Sequence, residues 1–249
     1  MSELRIPGKL MLAGEYAVTL ANHLSLVFSV DRFISENYSE LVNEKGVKYG
    51  LGSSGAYAVL MTKLKNPSFS DQDIFQRALT LSRQTQPQNS GADIAASTYS
   101  GLLLYKNGSF PERIFFPENW NLIVGWTGKP AITSELVEKN QLSPSFVKKS
   151  DIIVKKMADL IKEKNFEKFN QQIFLAEKNL EKLSGVLTDK LTKAITIAKK
   201  FGIEAKISGA GGGDNVIAFT KDPKISQQIK NNWQAAGIIP LDLHVYYKK

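Results

Sequence analysis

Short apolar runs dominate the first half of the chain, and helically spaced apolar stripes dominate the second. Residues 24–30 and 102–105 read as strands, and residues 10–13 form a shorter strand-like run ending at Gly14. Residues 56–61 read as a buried helix. Ser70, three positions before Asp73, predicts a further helix opened by a capping box. Residues 121–126 predict a buried strand, which Thr127-Gly128-Lys129-Pro130 breaks. Beyond it Phe166, Phe169, Ile173, Phe174 and Leu180 repeat at helical spacing. Leu187, Leu191, Ile195, Ala198 and Phe201 do the same until Gly202 stops them. Residues 205–207 and 216–219 predict two strands flanking a glycine loop. Asp222, Pro223 and Gly237 bound a last helix, and a final strand is expected through Leu241 to Tyr246. The second half therefore reads strand, helices, strand-loop-strand, helix, strand.

Composition narrows the chemistry. With 249 residues and 43% hydrophobic content, the chain can bury one large core or two lobes. It has no cysteine and only His23 and His244, which argues against disulfides, thiolate metal sites, zinc and histidine catalysis. No run of eighteen apolar residues exists, and Met1-Ser2-Glu3 leads directly into a motif, so the cytoplasm is the expected location and no membrane partner is expected. A net charge of +8 suits an anionic partner. The lysines after residue 145 alternate with glutamates, however, and read as solvated helix faces rather than a nucleic-acid surface.

Candidate chemistry lies in three glycine-rich patches: Pro7-Gly8-Lys9 leading to Gly14-Glu15-Tyr16, Gly50-Leu51-Gly52-Ser53-Ser54-Gly55, and Ser208-Gly209-Ala210-Gly211-Gly212-Gly213-Asp214. The middle patch has the spacing of a dinucleotide fingerprint, with Asp71 about twenty residues on. Yet Lys65-Asn66-Pro67-Ser68-Phe69-Ser70 stands where a second parallel strand is required. A Walker A loop fails too, because Ala56 and Tyr57 occupy the Lys and Ser/Thr positions. What remains is a loop opening a helix, equally suited to a turn or to phosphate; Ser53 and Ser54 add hydroxyls for a phosphate oxygen or Mg²⁺. Lys9 reads either as a surface lysine or as a cation over a transferring phosphate. Glu15 and Tyr16 are available to orient a substrate hydroxyl or carboxylate. After Asn89 and Ser90, Asp93 falls in the first turn of a small-residue helix, either as a helix-start preference or as a base or orienting carboxylate. Four glycines and an alanine between Ser208 and Asp214 exceed what a hairpin needs, which fits a flexible loop or backbone lying close to a ligand.

These motifs, in this order, resemble the GHMP small-molecule kinases over nearly the whole chain. Within that family, Gly14-Glu15-Tyr16 in place of Gly-Glu-His and the Ser208 to Asp214 patch are most similar to the phosphomevalonate kinases. Val124-Gly125-Trp126-Thr127 and the stretch from Asn232 to Ile238 add to the likeness. The resemblance implies an α+β, two-lobed GHMP kinase fold. Residues 1–120 would form an ATP-binding lobe like ribosomal protein S5 domain 2, and residues 121–249 a ferredoxin-like substrate lobe. It also implies ATP, Mg²⁺ and phosphomevalonate as ligands, in the mevalonate route to isoprenoids. Lys9 and Asp93 match the family's catalytic pair. Gly50, Leu51, Gly52, Ser53, Ser54 and Gly55 would hold ATP phosphates, with Ser53 or Ser54 near Mg²⁺. Gly14, Glu15, Tyr16, Asn89, Ser90 and the loop Ser208, Gly209, Ala210, Gly211, Gly212, Gly213 and Asp214 would face the acceptor. Lys48 is the candidate for the acceptor's phosphate. Other GHMP kinases acting on mevalonate or homoserine remain alternatives, as does a non-catalytic RNA- or metabolite-binding protein. The interval from Val18 to Gly50 is shorter than the family's, so an omitted stretch near residues 35–45, including contacts to the nucleotide base, is expected.

Overall fold

Two four-stranded antiparallel sheets carry the chain in the computed structural model, which describes residues 3–248. The first sheet runs in the order β1 (Ile6–Ala13), β2 (Leu24–Ile34), β3 (Leu102–Lys106) and β4 (Glu112–Ile114). Between β2 and β3 come helices α1 (Ser53–Lys65), α2 (Asp71–Thr85) and α3 (Ala92–Tyr99). Ser70 caps α2 with the expected capping box: its side chain accepts from Asp73 N–H while the Asp73 carboxylate accepts from Ser70 N–H.

The second sheet is formed by β5 (Asn121–Trp126), β6 (Ala205–Ser208), β7 (Asn215–Thr220) and β8 (Ile239–Leu241), in the order β6-β7-β5-β8. Helices α4 (Thr133–Lys139), α5 (Pro144–Lys162), α6 (Phe166–Leu180) and α7 (Asp189–Lys199) connect β5 to β6, and α8 (Pro223–Ala235) connects β7 to β8. This strand order, with crossovers after the first and third strands, is ferredoxin-like. The apolar stripes of α6 and α7 lie in the core as their spacing predicts, with Phe169, Ile173, Leu191 and Ala198 buried.

An aromatic chain ties the two sheets. Phe28 of β2 meets Phe116 at 5.8 Å, Phe116 stacks on Phe219 of β7 at 5.1 Å, and Phe219 meets Phe169 of α6 at 5.4 Å.

The expected final strand through Tyr246 is corrected. β8 ends at Leu241, because the chain then crosses back to the first sheet. There Val245 bridges Val30, and the Tyr246 carbonyl accepts from Gly101 N–H at 2.8 Å and from Ser29 Oγ at 2.7 Å. The segment between β2 and α1 is a short closed excursion in which Ile34 bridges Ser39, Val42 bridges Lys48, and Leu41 is fully buried.

Candidate active site

The middle glycine patch opens α1, and its glycines are explained by the side chains that cross them. Gly52 is the N-cap of α1 in left-handed conformation (φ 71°), so the free N–H groups of the first turn point away from the helix as an anion site. A Cβ on Gly52 would stand 2.8 Å from Lys9 Cγ and 2.9 Å from Lys9 Cε. A Cβ on Gly55 would stand 2.4 Å from Asp93 Oδ2, and one on Gly50 would stand 2.6 Å from Asp214 Cγ. Each glycine is thus the floor beneath one charged side chain. The three patches meet there, with Asp214, Lys9 and Asp93 ranged in that order along the loop.

Lys9 is fixed by the backbone, its N–H donating to the Leu51 carbonyl at 2.8 Å. Its ammonium, by contrast, makes no hydrogen bond or ion pair among the described residues. Burial raises the pKa of Asp93 above the usual carboxylate range, opposed by the Lys9 charge and by the Ile94 N–H at 2.9 Å. Burial raises Asp214 as well, opposed by the Ala131 N–H at 2.9 Å and again by Lys9. The Lys9 charge therefore acts on both carboxylates while bonding to neither.

On the helix side, exposed Lys48 donates to Ser54 Oγ at 3.4 Å. That places Lys48 at the start of α1, beside Ser53 and Ser54. Asn89 and Ser90 shape the turn before α3: Asn89 Oδ1 accepts from Gly91 N–H at 2.7 Å, and the Ser90 carbonyl accepts from Tyr105 Oη at 2.7 Å.

Several residues expected to face the acceptor join the lobes. Ser208 Oγ accepts from Met11 N–H at 2.9 Å, and Tyr16 Oη donates to the Ala210 carbonyl. Glu15, beside Gly14, is buried against the ammonium of Lys206, itself fully buried on β6. The third patch packs closely: Gly211 lies against Val186, Gly212 N–H donates to the Val186 carbonyl at 2.7 Å, and a Cβ on Gly213 would stand 2.4 Å from the Lys129 carbonyl. Gly209 alone is open, with nothing nearer to its Cβ position than Asp214 Oδ2 at 4.0 Å. Gly211, Gly212 and Gly213 are thus tightly packed, between the Ser208 and Ala210 bonds to the first lobe and Asp214.

Sequence reasoning missed Lys206 as the partner of Glu15, and Glu177 as a second carboxylate near Lys206. Glu177 of α6 accepts from Ile207 N–H at 2.8 Å, and burial drives its pKa up to about 7. A lysine in a predicted strand and a glutamate inside an apolar helical stripe were the available signals.

The "GHMP kinases N terminal domain" family matches residues 16–101, and "GHMP kinases C terminal" matches residues 157–239. A phosphomevalonate kinase of Streptomyces sp. (strain CL190) is 28% identical over 278 positions, covering 90% of this chain and 74% of that one. A mevalonate kinase of Pyrococcus abyssi is 30% identical over 210 positions, covering 77% of this chain and 61% of that one. A solved phosphomevalonate kinase of Streptococcus pneumoniae, in complex with phosphomevalonate and AMPPNP, superposes with a TM-score of 0.88 at 22% identity, covering 99% of this chain and 100% of that one. With both family halves matched and a two-lobed fold of the same type, the chain belongs to the GHMP kinases.

Proposed function

We propose that the protein transfers the γ-phosphoryl group of ATP to the phosphate of 5-phosphomevalonate, giving 5-diphosphomevalonate and ADP. The observation that carries the reading is Lys9: a lysine whose aliphatic stem crosses Gly52 at the start of α1, its charge acting on two carboxylates and bonded to neither. The choice of acceptor is supported by the Streptomyces relative.

The nucleotide phosphates fit the first turn of α1, where backbone N–H groups, Ser53, Ser54 and Lys48 converge. Bound there, ATP would supply the phosphoryl group and a Mg²⁺ ion would offset part of its charge, with Ser53 or Ser54 as the hydroxyl that would hold the ion. Lys9 stabilises charge on the transferring group; at 4 Å and an effective dielectric of 20 its attraction is about 4 kcal/mol before desolvation. An oxygen of the acceptor phosphate forms the new bond to Pγ as the bond to the ADP oxygen breaks. A phosphate monoester, with a second pKa of about 6, is already largely dianionic at neutral pH. Asp93 therefore orients Lys9 and the acceptor rather than abstracting a proton.

The test is a coupled ADP-release assay with phosphomevalonate and mevalonate side by side. Turnover of phosphomevalonate alone is expected. Turnover of mevalonate alone would favour the second reading, a mevalonate kinase, for which the Pyrococcus relative speaks. Salt-sensitive RNA binding without turnover would overturn both. The Streptomyces alignment, at 278 positions, is longer than this chain's 249 residues, so part of that relative has no counterpart here. An intact mass near 27.6 kDa would show that the chain is natively this short.

A further inference from the structure

Asp214 makes more fixed contacts than a substrate ligand needs, and they reach different parts of the site. It closes the third patch at φ 53°, a left-handed conformation that Asp and Asn tolerate better than most side chains. Its backbone is fastened to the segment after β5: its N–H donates to the Lys129 carbonyl at 2.8 Å, and its carbonyl accepts from Thr127 N–H at 2.9 Å. Its carboxylate Oδ1 accepts from Ala131 N–H at 2.9 Å. The side chain is buried and lies directly over Gly50. The next residue continues the joint, with Asn215 Nδ2 donating to the Tyr49 carbonyl at 2.7 Å.

Lys9, by contrast, has a flexible side chain and no bonded partner for its ammonium among the described residues. With Asp93 as its sole carboxylate neighbour, the ammonium would be drawn to the Gly55 end of the loop and form an ordinary ion pair. A fixed second carboxylate at the Gly50 end balances that pull. We infer that Asp214 is a positioning residue that acts through Lys9, its immobilised carboxylate holding the ammonium, at the end of the stem that crosses Gly52, between the two carboxylates and clear of Asp93. This rests on the phosphoryl-transfer reading of the site and departs from the expectation that Asp214 binds substrate.

Two variants separate its charge from its side-chain bond to Ala131 N–H. Asp214→Asn retains an oxygen for Ala131 N–H and tolerates the positive φ, but removes the charge. Its kcat is expected to fall about 10- to 100-fold, as for a reacting group displaced by roughly 1 Å, with both KM values within about threefold and the melting temperature unchanged. Asp214→Gly keeps the two backbone bonds but also loses the Oδ1 acceptor for Ala131 N–H; its kcat should fall at least as far, and the acceptor KM should rise as the Ala131 end of the segment after β5 loosens. Wild-type kcat in Asp214→Asn would overturn the inference and leave the residue a structural clasp. A raised acceptor KM at unchanged kcat would overturn it in favour of a substrate ligand. The ratios are taken on whichever of phosphomevalonate or mevalonate the wild-type enzyme turns over, with slow acceptor-free ATP hydrolysis supplying them if it uses neither. A wrong acceptor therefore shows in the wild type, and a wrong role for Asp214 only in the variants.

Discussion

Lys9 and Lys206 each lie among two carboxylates, in opposite states of completion. Lys206 is fully buried on β6, bonded to Glu15 from the first lobe and to the Ile207 carbonyl, with Glu177 of α6 beside it. Lys9 is partly exposed on β1, between Asp93 and Asp214, and bonds to neither. A buried lysine must have its donors satisfied, because an unpaired charge in a low-dielectric interior costs several kcal/mol. A lysine that meets a transferring phosphate must keep its donors free until the ligand arrives. The same residue types thus serve cohesion where the ammonium is bonded to a carboxylate and a carbonyl, and chemistry where bonding is withheld.

The comparison breaks most directly by removing each ammonium. Lys9→Met should lower kcat by about 10³-fold while leaving stability within about 0.5 kcal/mol of wild type. Lys206→Met should do the converse, costing about 3–5 kcal/mol in urea unfolding because Glu15 and Glu177 are left buried without their cation. Urea titrations and steady-state rates on both variants decide it. A stable Lys206→Met enzyme would mean that the buried cluster does not hold the lobes.

Next in size is the floor beneath Lys9. Gly52 and Gly46 have nearly the same backbone, φ 71° and 73°, but an added Cβ meets Lys9 at the first and nothing within 4 Å at the second. Both alanine variants incur the left-handed strain, about 1–2 kcal/mol. Gly52→Ala should in addition lower kcat by about 10²-fold by displacing the Lys9 side chain. Equal kcat in the two variants would mean that Lys9 is not held there.

The glycine spacing was legible as a loop that opens a helix, but not the reason for each glycine. Gly50, Gly52 and Gly55 lie under Asp214, Lys9 and Asp93, three side chains from distant parts of the chain. No local pattern encodes such crossings. The strands and long helices were legible because their periodicity is local, as in the residue 121–126 strand, the capping box at Ser70 and the α6 stripe. The three-residue β4 and the seven-residue α4 were too short to show a period. The tail after β8 was read as a strand of the second lobe because its apolar character does not specify which sheet it joins. Glu15 and Tyr16 read as substrate contacts because polar residues in a glycine motif look free, whereas their partners Lys206 and Ala210 lie almost two hundred residues away.

The buried cluster has its own pH signature. Burial lifts Glu177 from an ordinary 4.5 to about 7 in the folded protein, so between these values the native state holds a proton that the unfolded chain has released. Stability should therefore decline by about 3 kcal/mol as pH rises from 4.5 to 7, and level off above it. Glu177→Gln keeps an acceptor for Ile207 N–H and should remove that slope, making the variant more stable than wild type at pH 8. Thermal melts of both proteins across this range check it; an unchanged slope would assign the effect to another group.

The smallest effect expected is the sharpest test of what Asp93 does. If the acceptor is a phosphate, its attacking oxygen is already ionised above pH 7, and no base is required. Asp93→Asn then removes only one of two charges flanking Lys9, and kcat should fall by about tenfold with KM unchanged, since misplacement rather than lost proton transfer is the cause. The ratio of wild-type to variant kcat should be flat from pH 7 to 9. Below that range the wild type should lose activity at a higher pH than an ordinary carboxylate would dictate, because burial raises Asp93, and the variant should lack that limb. A general base contributes about 10² to 10⁴ in rate. A loss near 10⁴ with binding intact would therefore make Asp93 a proton acceptor, point to an alcohol substrate, and end the parallel in which both lysines are held by carboxylates that do no proton chemistry of their own.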